Sequence, residues 1–446
     1  MCRGGFVDED STNVPDYPIY FLFHKAALFP MSDQLIQPKR IAMISLHTSP
    51  LEQPGSGDAG GMNVYIRQLA LALAAQGAHV DVFTRASSEN RSIEMSAGVM
   101  CHEVQAGPPG KISKEELANH LRASAEAIFA YAAVFEPYDV IHSHYWLSGI
   151  VGLELRDAWG IPLVHTMHTM GKVKKASAKT EESSDRIAGE MLLCQQADRI
   201  TANTPAEAAE LEHLYGTAAD RIDVVAPGVD LEVFHPQVCP EREASPSSLR
   251  VVFAGRIQKL KGPQLLVRAL GIIARERPDL DIKLSVIGAR SGAKELNLQK
   301  LVEAEAVEHM VRFILPMPAE HLARAFRCAD VVAVPSYSES FGLVALEAQA
   351  CGTPVLAHRV GGLPFAMRDG VSGLLIDENE PEAWAAALVS LAEDVELRKR
   401  LGRHAAVFAS GMGWEQTALA SLDSYTRAQN SLLGSAKPEL HGSAAF

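Results

Sequence analysis

From position 40 onward, short runs of β-branched and other apolar residues alternate with longer stretches in which apolar residues recur every three or four positions. Strand-like runs fall at 41–46, 79–84, 139–142, 163–166, 199–202 and 222–225. Between the first two, residues 63–76 carry helical spacing and Gly77 supplies the stop. At 235–249 the pattern gives way to His235, Pro236, Pro240, Ser245 and Pro246, the composition of a linker. A second series then runs through 250–254, 283–287, 312–315, 331–334, 354–357 and 373–376, and a last helix is expected over 414–428. Alternation of this kind predicts an α/β chain with two Rossmann-like, doubly wound domains facing each other across a cleft. The expected domains are 39–234 and 250–411, with the helix at 413–430 packing back on the first. Residues 1–38 read as a disordered extension, with Met31 as an alternative start, and 431–446 as a disordered tail.

In open α/β sheets ligands bind beyond the carboxyl ends of the strands, so the chemistry is sought there. After 331–334 comes Pro335-Ser336-Tyr337-Ser338-Glu339-Ser340-Phe341-Gly342-Leu343-Val344, with Glu347 following. Two carboxylates with seven residues between them thus bracket a loop-to-helix junction whose free N–H groups and dipole suit a diphosphate. After 250–254, Gly255 and Arg256 lead to Lys261 and Gly262, two cations placed to neutralise a leaving diphosphate. Beyond the first strand lies Gly55-Ser56-Gly57-Asp58-Ala59-Gly60-Gly61-Met62-Asn63, whose backbone is able to approach a sugar or a diphosphate. The same segment contains G-x-G-x-x-G, but the loop is long and Thr84-Arg85, not a carboxylate, closes the second strand. A dinucleotide reading then depends on Arg85 as the reader of a 2′-phosphate.

Composition narrows the partners. A length of 446 residues exceeds what one core usually supports. A net charge of -13 argues against a general binder of nucleic acid or anionic membrane. No apolar run approaches the roughly 18–20 residues of a membrane span. Cys2, Cys101, Cys194, Cys239, Cys328 and Cys351 are scattered without metal-ligand spacing, and are expected to be reduced thiols of a cytoplasmic protein.

The pairs Arg256/Lys261 and Glu339/Glu347, with Gly60, Gly61 and Asn63, resemble the retaining GT-B glycosyltransferases of family 4, from Arg40 to about Tyr425. More closely, His47-Thr48-Ser49-Pro50, Gly57 to Tyr65, His142-Ser143-His144-Tyr145-Trp146 and Val164-His165-Thr166-Met167-His168-Thr169 resemble the D-inositol-3-phosphate glycosyltransferases of mycothiol biosynthesis. The resemblance implies transfer of N-acetylglucosamine from its UDP form to 1L-myo-inositol 1-phosphate. It implies donor contacts at Gly60, Gly61, Asn63, Arg256, Lys261, Phe341, Gly342, Leu343, Val344 and Glu347, with Glu347 at the ribose. Arg256, Lys261, Glu339 and His168 would be catalytic, Glu339 and His168 meeting the donor sugar. Lys114, Tyr145, Thr169 and Arg186 would grip the acceptor phosphate, since two cations and two hydroxyls satisfy a phosphate monoester. No cofactor is required and no metal cage is implied, although magnesium is compatible with the diphosphate; a homodimer stays open. The chain departs from the family's usual residues at 170–175, 193–196 and 286–292. The departures at 193–196 and 286–292 leave donor and acceptor identity open to another family 4 hexosyltransferase, sucrose-phosphate-synthase-like or a mannosyltransferase. Two readings of other classes also stay open, an NADP-dependent oxidoreductase and a non-catalytic nucleotide-sugar binder.

Overall fold

Strands without a polar face must be covered on both sides, and that is how this chain folds. The computed structural model describes residues 38–55, 59–178, 182–240, 248–290 and 296–435. The extension and tail expected at the termini, and most of the expected linker, lie outside the described residues.

The first sheet comprises β1 (Arg40–Ile44), β2 (His79–Ala86), β3 (Arg91–Ser96), β4 (Val99–Gln105), β5 (Val140–His144), β6 (Leu163–Thr166), β7 (Arg199–Ala202) and β8 (Ile222–Val224). Their order is β3-β4-β2-β1-β5-β6-β7-β8, parallel except for the antiparallel β3–β4 pair. The second comprises β9 (Leu249–Ala254), β10 (Ile282–Ile287), β11 (Val311–Ile314), β12 (Val331–Val334), β13 (Val355–His358) and β14 (Gly373–Ile376). It is parallel throughout, in the order β11-β10-β9-β12-β13-β14. The two-domain α/β architecture is therefore the one the alternating pattern predicts. In each sheet the winding reverses beside the first strand, between β1 and β5 and between β9 and β12. Such reversals open a crevice at the strand ends, and the loops that leave these four strands carry most of the expected site residues.

Strands β3 and β4 were not anticipated. β3 reads Arg-Ser-Ile-Glu-Met-Ser at the sheet edge, so neither its burial nor its composition gives the continuous apolar signal of the inner strands.

The helix Gly61–Ala75 presents Tyr65, Ile66, Leu69, Ala70 and Leu73 to the first sheet. It stops because Gly77, at φ +91°, donates to Ala74 O while Ala78 N donates to Leu73 O, a Schellman closure. The helix Trp414–Ser435 joins the same core, placing Trp414, Ala418, Leu422 and Tyr425 beside Ile41, Met43 and Ile66. Its polar side also makes specific bonds: Tyr425 OH meets His142 Nδ1 at 2.7 Å and Ser424 Oγ donates to Asp223 Oδ2 at 2.7 Å.

The expectation of uniformly reduced cysteines is overturned for one pair. Cys239 and Cys328 form a disulfide with Cα atoms 5.3 Å apart. The segment before Cys239 folds back on the second domain, where Phe234 packs on Phe326 and Arg327 donates to Gln237 Oε1 at 2.6 Å, a proximity that cysteine spacing does not reveal. Cys101, Cys194 and Cys351 are buried free thiols. Among the described residues, no helix is long and apolar enough to cross a membrane.

Candidate active site

The second-domain half of the cleft depends on a close backbone approach. At Gly262, φ +75°, an added Cβ would lie 2.0 Å from Pro335 O, so only glycine lets the loop after β9 press against the loop after β12. Tyr337 N donates to Leu260 O at 2.9 Å across that contact. As a result Lys261 Nζ reaches Glu339 Oε2 at 2.7 Å, and Ser336 Oγ donates to the same oxygen at 3.0 Å. Gly342, φ +110°, then turns the chain into the helix Leu343–Ala350; a Cβ there would meet Leu363 Cδ2 at 2.7 Å. The helix's first N–H groups have no intrahelical acceptor by position and, with the dipole, favour an anion. Phe341 is core, packed in the cluster of Val334 and Leu363, so any contact it makes in the cleft is through its backbone.

Glu347, on the helix Leu343–Ala350, is buried. Burial, with the negative charge of Asp230 nearby, pushes its carboxyl up to about 7. Asp230 itself accepts from the backbone N–H groups of Glu232 and Val233 and, at 3.4 Å, from Gln68 Nε2 of the first domain.

The glycine loop faces this junction across the cleft. A Cβ at Gly60 would lie 3.8 Å from Arg256 Nε, and one at Gly61 3.5 Å from Leu343 Cδ1. Gln53 Nε2 donates to Met317 O at 2.9 Å, and Ser340 Oγ donates to the carbonyl of His168. Asn63 corrects the sequence expectation. Its amide donates to Ser49 O at 2.6 Å and to Thr48 Oγ1 at 2.5 Å, while Oδ1 accepts from Gly60 N at 2.8 Å. Asn63 therefore holds the loop from beneath, and its side chain is not presented to a ligand.

In the first domain the site is built where β5 and β6 end. Tyr145 and His168 stand at φ 70° and 59°, left-handed conformations that bulky residues adopt only when their surroundings hold them there. Tyr145 N donates to Thr166 O at 3.0 Å, and His168 Nε2 meets His144 Nδ1 at 3.0 Å. Burial and the neighbouring His142, His165 and His47 depress the His168 pKa well below its ordinary value. It is a neutral hydrogen-bonding group, not a proton donor of the imidazolium kind.

Arg186 lies against the Tyr145 ring, its Cζ 5.3 Å from the centroid. Its Nε donates to Glu190 Oε1 at 2.7 Å, its Nη1 to Glu182 Oε2 at 2.6 Å, and its Nη2 to Thr169 Oγ1 at 3.1 Å and Thr169 O at 3.0 Å. Glu190 is fully buried and also accepts from Gly171 N and Tyr215 OH, so it is a fixed support. Lys114 begins the helix Lys114–Leu117, which Ser113 caps. The sequence singled out Lys114 and Arg186 and passed over Lys174, which joins them. Burial, and then the charges of Arg186, Lys114 and Arg256, depress the Lys174 amine to about 8. The signal was present in Lys172-Val173-Lys174-Lys175, but which of three lysines turns inward is decided by packing.

The structure thus brings Tyr145, Thr169 and Arg186 together on one side, with the charges of Lys174 and Lys114 bearing on them, and Arg256, Lys261, Glu339 and the Leu343 helix start on the other. It does not support the 2′-phosphate role for Arg85. That guanidinium donates to the carbonyls of Ala106, Pro108 and Gly110, which leaves the fork facing backbone. Among the described residues, no three His, Cys, Asp or Glu side chains converge on a metal-sized site.

Comparison with known proteins agrees with this geometry. A pattern described as "Glycosyl transferases group 1" matches residues 240–407, and one described as "Glycosyltransferase Family 4" matches residues 59–233. A D-inositol 3-phosphate glycosyltransferase of Paenarthrobacter aurescens is 50% identical over 404 residues, 88% of this chain and 99% of the relative. One from an Arthrobacter species is 50% identical over 408 residues, 89% of this chain and 97% of the relative. Among solved structures, sucrose-phosphate synthase from Thermosynechococcus elongatus superposes with a TM-score of 0.80 at 33% identity, covering 89% of this chain and all of that one. Fold, cleft and matches together define a glycosyltransferase of GT-B architecture. The chain belongs to the D-inositol 3-phosphate glycosyltransferase family.

Proposed function

We propose that this enzyme transfers N-acetylglucosamine from UDP-N-acetylglucosamine to 1L-myo-inositol 1-phosphate, the compound also numbered D-inositol 3-phosphate, with retention at the anomeric carbon. The observation that carries the acceptor class is the pocket of Lys114, Lys174 and Arg186 with Tyr145 and Thr169, facing the donor half of the cleft. Cations and hydroxyls of this kind match a phosphate dianion better than a neutral sugar. The names printed for relatives at half identity point the same way. The donor sugar and base rest on the family resemblance.

Arg256, Lys261 and the N–H groups at Leu343 and Val344 would receive the diphosphate and stabilise charge as the bond from the anomeric carbon to the leaving phosphate oxygen breaks. The acceptor hydroxyl attacks from the same face, and its proton passes to the departing phosphate oxygen, giving the glycoside and UDP. Neutral His168 would hold the sugar near its reacting carbon, Glu339 would take sugar hydroxyls, and Glu347 the ribose. Among the described residues no carboxylate cage is present for magnesium, which would add neutralising charge at the diphosphate if it accompanies the donor.

A phosphorylated acceptor of another kind, as for the sucrose-phosphate synthase of similar fold, is the second reading. The test is a screen of UDP-, GDP- and ADP-sugars against inositol phosphate, fructose 6-phosphate and neutral sugars, read by product mass. A product only with neutral acceptors rules out the proposal.

A further inference from the structure

Arg186 is the centre of the acceptor pocket, yet two carboxylates already claim it. They differ in kind. Glu190 is completely buried and accepts from Gly171 N, Arg186 Nε and Tyr215 OH, so it cannot leave without orphaning three donors. Glu182 keeps 15% of its side chain exposed, and its carboxylate makes one bond among the described residues, to Arg186 Nη1. Of the five guanidinium N–H groups, Nε–H serves Glu190, both Nη2 protons serve Thr169 and one Nη1 proton serves Glu182. With Glu182 in place a single N–H remains for a ligand.

The Glu182 charge is also felt beyond Arg186. It acts on Lys174 and on Tyr145 as well as on Arg186. The carboxylate itself holds, at 2.6 Å, an Arg186 N–H that an acceptor phosphate would take. A phosphate that takes two N–H groups of Arg186 needs the Nη1 proton that Glu182 holds, so both do not stay.

We infer that Glu182 is an internal stand-in for the acceptor's phosphate, a carboxylate that satisfies Arg186 in the empty enzyme and is displaced when a phosphorylated acceptor binds. It would be a determinant of acceptor specificity. A neutral polyol brings nothing to replace the lost ion pair, whereas a dianion replaces it and takes up two N–H groups of the Arg186 fork. The inference rests on the reading of this pocket as the acceptor-phosphate site.

The test compares wild type with Glu182→Gln and Glu182→Ala at pH 7, with melting temperatures recorded for all three. Acceptor KM and the inhibition constant of inorganic sulfate, a dianion competing with the acceptor, should both fall about tenfold in the variants (roughly 1.4 kcal/mol), with donor KM unchanged. Acetate should compete with the acceptor in Glu182→Ala and not in wild type, because it refills the vacated carboxylate position. A carboxylate that only orients Arg186 gives the opposite result, a raised acceptor KM in folded variants and no acetate effect, and that outcome overturns the inference. Sulfate that competes equally in all three proteins also overturns it, while leaving the phosphate site standing. If sulfate and inositol phosphate bind none of the three, the acceptor-phosphate reading itself fails, and the inference with it.

Discussion

Lys261 Nζ lies 2.7 Å from Glu339 Oε2, a pair formed across 78 positions of sequence because Gly262 lets one loop lie against the next. Both side chains keep contact with solvent, at 25% and 18% exposure, so the pair adds little to stability, about 0–1 kcal/mol. Its geometry is more telling: the cation that would meet the leaving phosphate is held by the carboxylate that would meet the sugar. Lys261→Ala should lower kcat by about 10²–10³, the usual cost of losing one electrostatic contact made in the transition state. Glu339→Gln should weaken transfer less, since an amide still accepts one hydroxyl. Melting temperatures should move little in either. Full activity in both variants would remove these residues from the site.

Glu347 makes opposite demands on folding and on binding. Its carboxyl titrates near 7 in the fold against about 4.3 in an unfolded chain, so the folded state holds the extra proton between those values. Stability then falls as pH rises through that window. The melting temperature of Glu347→Gln should gain on wild type as pH increases from 4.5 to 8. Acceptance of ribose hydroxyls needs the ionised form, so donor KM should rise as pH drops below 7. Asp230→Asn should move that inflection to lower pH, because Asp230 is one cause of the shift. A donor KM flat between pH 6 and 8 contradicts this assignment.

The disulfide between Cys239 and Cys328 closes a separation of 89 residues within the second domain and its approach segment. Constraining a loop of that length in the unfolded chain contributes on the order of 2–4 kcal/mol. Reductant should lower the melting temperature by several degrees, and Cys328→Ser should show the lower value with or without reductant. Cys328 precedes β12, whereas Glu339 follows it at the other end of the strand, so the transfer rate at 25 °C should be unchanged. Equal melting temperatures in reduced and oxidised wild type would count against the bond.

How far the sequence led is visible in particular elements. Runs such as Val331–Val334, apolar on both faces, were legible because parallel inner strands have nothing else to be, and the E-x7-E and Arg-Lys elements were legible because they sit where such strands end. β3 was not, since an edge strand rich in charge carries no burial signal, and in β4, although it lies inside the sheet, His102, Glu103 and Gln105 break the apolar run. Asn63 and Glu347 were recognised as important, but their surroundings were not: whether an amide faces ligand or loop, or a carboxylate faces water or Asp230, depends on contacts distant in sequence. Glu182 and Lys174 escaped because a charged residue in a charged stretch looks solvated until the fold turns it inward.

Lys174 offers a test with a sign that can be worked out in advance. Burial and neighbouring cations depress its amine to about 8, so it is mostly charged at pH 7 and loses its charge as pH passes 8. A phosphate dianion prefers the charged form, and its arrival raises the amine's pKa again, so binding near pH 8 should take up protons. Acceptor KM in wild type should therefore climb above pH 8 while donor KM does not. Lys174→Arg, whose guanidinium stays charged throughout this range, should flatten that climb. Lys174→Gln should raise acceptor KM about tenfold at pH 7 and abolish the alkaline dependence. If the climb persists unchanged in Lys174→Gln, another group titrates it, and Lys174 does not belong among the phosphate's partners.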